Sequence, residues 1–163
     1  MNRLRSFLSS TENVINAIMQ RAAFAALVAM LVVITLQIVF RVFFQALTWS
    51  EEVARYLLVW VTFLGASIAY KHGRHIAVTF VVDALPKGPG RLVRAATIGV
   101  SMAFFAVVAF TGVKYMNLQS AQVSASLRIS MGLVYSIIPL SSATMLLYGL
   151  VDMLDLFSKT DES

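Results

Sequence analysis

Apolar residues fall in long unbroken runs along this chain, and polar residues are pushed to the junctions between them. Ala22 to Phe40 carries no charge over 19 residues, Ala95 to Val113 none over 19, and Ile129 to Val151 none over 23. Val53 to Tyr70 is uncharged except for Arg55. About 20 apolar residues suffice for a membrane-spanning helix. The runs lack the period-2 alternation of a barrel strand, so helices are expected. The pattern predicts an all-α membrane protein with four transmembrane helices, at about residues 22–43, 51–71, 92–114 and 130–153. These form one domain over 22–154, between an N-terminal interfacial segment (1–21) and a short tail (155–163). Between the second and third spans, His75, Thr79, Asp83 and Lys87 recur every fourth residue in an otherwise apolar stretch. That spacing predicts a short interfacial amphipathic helix at about 75–85, lying on membrane lipid, ended by Pro86, Gly88, Pro89 and Gly90.

Composition agrees. The chain is 59% hydrophobic and 13% charged, against roughly 25% charged in a soluble domain. It contains no cysteine, which excludes disulfides and thiolate metal sites. Its net charge of +5 is distributed as a topology signal rather than a nucleic-acid patch. With four spans, Arg3, Arg5, Arg21, Lys71, Arg74, Lys87, Arg91, Arg94 and Lys159 share one side, and Arg41, Arg55, Lys114 and Arg128 the other. The basic side faces the cytoplasm, so both termini and the middle loop are expected there. Ser9 and Glu12 have capping-box spacing, which predicts a surface helix from about Asn13 to Arg21.

The entry to the second span is unusual. Thr48 and Glu51 have capping-box spacing, placing a helix start near Ser50. Glu51 and Glu52 suit the positive end of that helix. Arg55 stands at i+4 from the first acid and i+3 from the second, so either could pair with it. Continued down the helix, the stripe runs through Leu58, Thr62, Gly65, Ala66, Ala69 and Gly73, polar at the top and small below. Small residues permit close helix approach in lipid, so this face is expected to meet protein, either a helix of the same unit or another subunit. Trp49, Tyr56 and Trp60 fit an interfacial belt, although Trp60, nearly two turns into the span, fits packing at a helix junction as well. Ala95, Gly99 and Ala103 form a second small ribbon. Pro139 is expected to kink the fourth span, with Ser136, Ser141 and Ser142 serving the freed groups. No metal or cofactor site is expected: His72 and His75 lack a third ligand, and no span carries an axial histidine. The spans also lack the buried charges of a self-sufficient ion pathway.

Trp49-Ser-Glu51-Glu52-x-x-Arg55-Tyr56, followed by Trp60, Gly65-Ala66, Gly73 and His75-Ile76, resembles the small membrane subunit of tripartite ATP-independent periplasmic (TRAP) transporters, the DctQ-like family. Ser126-Leu127-Arg128-Ile129, then Tyr135 and Pro139, is similar to that family's entry to the fourth helix, although Arg128 stands where a smaller or apolar residue is expected. The similarity covers roughly residues 20 to 155. It implies a non-enzymatic subunit of a bacterial or archaeal inner membrane. Its partners would be a large multi-span transport subunit and a periplasmic substrate-binding protein, and it would act as a fixed scaffold in sodium-coupled uptake of an organic acid. Glu51, Glu52, Arg55, Trp60, Gly65, Ala66, Gly73, His75 and Arg128 are then the candidate partner interface. Two other readings compete. A membrane anchor for a peripheral or redox enzyme would bring a soluble enzyme or haem with it. A homo-oligomeric channel would conduct alone.

Overall fold

The computed structural model describes the backbone of residues 2–82 and 87–158, and the side chains of residues 10–73, 90 and 92–156. The described chain is helical: α1 (Asn2–Phe43), α2 (Ser50–Val82), α3 (Lys87–Gln119), a single turn and a half, α4 (Met131–Tyr135), and α5 (Ile137–Ser158). Four helical stretches are long and apolar enough to cross a membrane: Ser10–Phe43, Ser50–Gly73, Leu92–Gln119 and Met131–Leu156. Residues 44–49 and 120–130 lie together at one end of the bundle, here termed the loop end. The opposite end, where α1 begins and α5 finishes, is the terminal end.

The helices outrun the expected spans. No glycine or proline interrupts residues 2–43, and α1 continues through the stretch expected as a separate surface helix. Ser9–Glu12 is therefore interior to a helix, not its start. α2 likewise runs unbroken past the basic cluster to Val82. The stretch expected as a distinct interfacial helix is, as far as Val82, a continuation of α2, because one glycine (Gly73) is too little to end a helix. Residues 83–85 of that stretch lie outside the described residues. Gly88, Pro89 and Gly90 fall in the first turn of α3, where a missing N–H costs nothing.

α1 packs antiparallel on α2, α3 packs antiparallel on α5, and α5 joins the two pairs. Its central place shows in burial: 50% of its apolar stretch is enclosed, against 6%, 11% and 11% for the other three. The core is built around Met19, Leu64 and Ile137, with Ala22, Ala23, Val59, Trp60, Phe63 and Ile138 against it. The closest helix approaches occur elsewhere than at the predicted ribbons. A Cβ on Gly112 would stand 2.9 Å from Ile138 Cγ2, and one on Gly132 would stand 3.0 Å from the Met116 carbonyl oxygen. Around Gly65, Gly73 and Gly99 a Cβ would meet nothing within 4 Å.

The break between α4 and α5 falls at Ser136, three residues before Pro139, as a ring there removes the bond to the Tyr135 carbonyl. Neighbouring carbonyls gain side-chain donors. Ser136 Oγ donates to Leu133 O at 2.7 Å, and Ser141 and Ser142 both donate to Ile138 O. Trp60 Nε1 crosses from α2 to donate to Val134 O at 3.0 Å.

Candidate functional site

Two turns of sequence organise the loop end. Ser50 is fully buried, and its hydroxyl donates to Leu47 O at 2.8 Å. The expected capping box at Thr48 is not what starts α2: Val53 N already bonds Trp49 O, and Glu51 turns outward instead of back to Thr48. The two acids have different partners. Arg55 Nη2 donates to Glu51 Oε1 at 2.8 Å, with both side chains about two-thirds exposed (67% and 71%). Exposed pairs of this kind contribute little. Glu52 turns the other way and receives the backbone N–H groups of Ala125 at 3.1 Å, Ser126 at 3.1 and 3.2 Å, and Leu127 at 3.4 Å. Ser126 Oγ adds a bond to Thr48 O.

The segment that Glu52 holds is a small hairpin. Ser124 N bonds Ile129 O and Met131 N bonds Gln122 O, while Ser130 Oγ donates to Ser120 O at 2.9 Å. Arg128 makes the return at φ 56°. A residue other than glycine costs roughly 1–2 kcal/mol in this left-handed region. Its side chain is exposed.

The candidate interface residues thus divide by direction. Glu51, Arg55, Leu58, Thr62, Ala66 and Ala69 are exposed on one face of α2, with Gly65 and Gly73 beside them facing open space. The stripe is turned away from the chain's own bundle, which rules out packing within this unit as its purpose. Glu52 and Trp60 point inward and are engaged by the loop and by α4. His75 falls within the α2 backbone, but its side chain lies outside the described residues.

A second polar group, missed in the sequence, joins α1, α2 and α5 toward the terminal end. Lys71 Nζ donates to Asn13 Oδ1 at 2.9 Å and lies 3.5 Å from Glu12 Oε1, with the Tyr148 ring centroid at 5.5 Å. Asn16, Ser67 and Asp152 are buried nearby in the same helices. Lys71 was legible as a topology charge; the i, i+4 spacing of Glu12 with Asn16, and of Ser67 with Lys71, is the signal that marks these faces as inward. Among the described residues, no three metal-ligating side chains gather.

A four-span helical membrane protein with its inward acids committed to its own loops and helices, and one polar-to-small stripe left outside, is built as a component of a larger membrane assembly. The profile of the tripartite ATP-independent periplasmic transporters, DctQ component, matches residues 30–159, and the chain belongs to that family. It is a TRAP transporter component, a multi-pass inner-membrane protein and not an enzyme. The chain is 32% identical over 80 residues to a Haemophilus influenzae protein assigned to the TRAP small permeases, covering 48% of this chain and 50% of the relative. It is 35% identical over 81 residues to a sialic acid TRAP transporter small permease protein of Vibrio cholerae, covering 49% and 47%. It is 27% identical over 141 residues to an isethionate TRAP transporter permease protein of Oleidesulfovibrio alaskensis, covering 79% of this chain and 22% of the relative. The matches span about half or less of these relatives' own lengths.

Proposed function

We propose that this chain is the fixed scaffold subunit of a TRAP-type secondary transporter. It supports a large multi-span transport subunit in sodium-coupled uptake of an organic acid delivered by a periplasmic binding protein. The observation that carries this reading is the outward stripe of α2. Thr62, Gly65, Ala66 and Ala69 offer close approach to another helix, and among the described residues no helix of this chain occupies that approach. The isethionate permease adds support, since the matching stretch is 22% of that longer chain. The names of the relatives, sialic acid and isethionate among them, favour an organic anion. In this reading the loop end faces the periplasm, where Glu52 holds the hairpin in shape beside the partner.

The test is affinity purification of the chain from its native membrane in mild detergent, with and without Gly65→Leu and Ala66→Leu. The parent chain is expected to bring a large multi-span protein in about equal amount. The bulky variants should keep their own level in the membrane and lose that partner several-fold. Recovery of the chain alone, or with a soluble enzyme, defeats the reading.

A further inference from the structure

The four apolar runs are not level with one another in the bundle. One layer of packing is centred on Met19 of α1, Leu64 of α2 and Ile137 of α5, with Ala22, Ala23, Phe63 and Ile138 against them. Gly112 of α3 belongs to the same layer through Ile138. In α1 this layer is the start of the uncharged run Ala22 to Phe40; in α2 it is the middle of Val53 to Tyr70; in α3 it is the end of Ala95 to Val113. α1 continues from the layer toward the loop end, whereas the run of α3 extends back toward the terminal end. At about 1.5 Å per residue, the midpoints near Leu31 and Phe104 are offset by roughly 25 Å along the bundle. A second contact shows the same stagger between α2 and α3: Tyr70, the last residue of its run, meets Phe105, near the middle of its own, edge to face with ring centroids 4.8 Å apart.

A flat bilayer core about 30 Å thick lying square across this bundle would leave one half of an apolar run in water. The overhanging half of α1 is exposed along its length, with Phe24, Leu31, Ile38 and Phe43 all more than half exposed. α1 and α3 make no direct contact among the described residues; they flank α2 and α5. Helix axes in contact lie about 8–10 Å apart, so the two flanks are roughly 20 Å apart. An offset of roughly 25 Å over that distance disappears if the bilayer cuts the bundle obliquely. The helix lengths point the same way independently. The membrane-capable stretches of α1 and α3 are 34 and 28 residues, roughly 50 and 40 Å long, more than a perpendicular crossing needs.

We infer that the bundle crosses the membrane strongly tilted, on the order of 45°, so that the staggered apolar runs fall within one slab of lipid. This exceeds the ~20° average for membrane helices. Acyl chains are the occupant of the exposed apolar surface on the second half of α1. Arg21 then reaches one headgroup layer and Lys114 the other, although both lie close to the same packing layer.

The test uses single cysteines in this cysteine-free chain, spin-labelled in liposomes of a phosphatidylethanolamine–phosphatidylglycerol mixture, with depth read from oxygen and nickel-chelate collision rates. Leu31→Cys, Thr62→Cys and Phe104→Cys sit at different heights in the bundle and are expected at one depth, near the midplane. Gln20→Cys and Thr111→Cys sit at one height and are expected in opposite headgroup layers. Equal depth for Gln20 and Thr111, with Leu31 in water, overturns the inference. Infrared dichroism of the unlabelled chain in oriented bilayers provides the second measurement, independent of any substitution. A mean helix tilt near 45° supports the inference, and one of 20° or less rejects it.

Discussion

At the scale of single residues, two adjacent glutamates perform opposite tasks. Glu51 and Arg55 lie on the surface, whereas Glu52 is closed on by three backbone N–H groups. Charge-assisted bonds from backbone donors are among the stronger ones available, and here they tie the tip of the hairpin to the start of α2. Glu52→Ala is therefore expected to speed amide hydrogen exchange at Ala125, Ser126 and Leu127 at least tenfold, while Glu51→Ala leaves those amides unchanged. Equal effects would mean that the hairpin holds itself. The spacing along the helix could not separate the two acids, since both reach Arg55; the deciding partner is a loop more than seventy residues away, which local periodicity does not see.

At the scale of helices, the difference between a small residue and a close approach matters most. Gly65 and Gly99 stand in regular four-residue ribbons, yet a side chain at either would meet nothing in this chain. Gly112, Gly132 and Gly149 stand in no obvious ribbon and are the ones pressed by neighbours. Their partners come from breaks in regularity: Gly112 faces the Pro139 kink, and Gly132 lies in the short turn α4 against the end of α3. Gly132→Ala pushes a methyl group against backbone, which cannot yield cheaply, and is expected to cost about 1–3 kcal/mol. Gly149→Ala meets the Met102 side chain at 2.7 Å; methionine adapts, so the loss should be smaller. Thermal unfolding in detergent ranks the two, and a larger loss at Gly149 contradicts the packing described here. The spans themselves were readable from the uncharged runs. Their ends were not, because Glu12 and Lys71, which look like the limits of helices, are bonded to each other inside the bundle.

For the whole molecule, the basic residues define an orientation that the absence of cysteine makes simple to test. Ala121→Cys is expected to react with an impermeant maleimide in intact cells, and Ser10→Cys only after permeabilisation; the reverse pattern inverts the topology. Lys71 contributes less to that orientation than a count of charges implies, since its ammonium group is answered by Glu12 and Asn13. The contact between Glu52 and Ser126 also has a consequence for biogenesis. It joins positions 74 apart in the chain, and between them lie most of α2, all of α3 and the turn that follows. While the ribosome is still making the third helix, Glu52 has already left the tunnel with no loop to receive its charge. The cap at the loop end thus closes only after the third helix has been made, and any partner that recognises the closed hairpin distinguishes a chain that has passed α3 from one that has not.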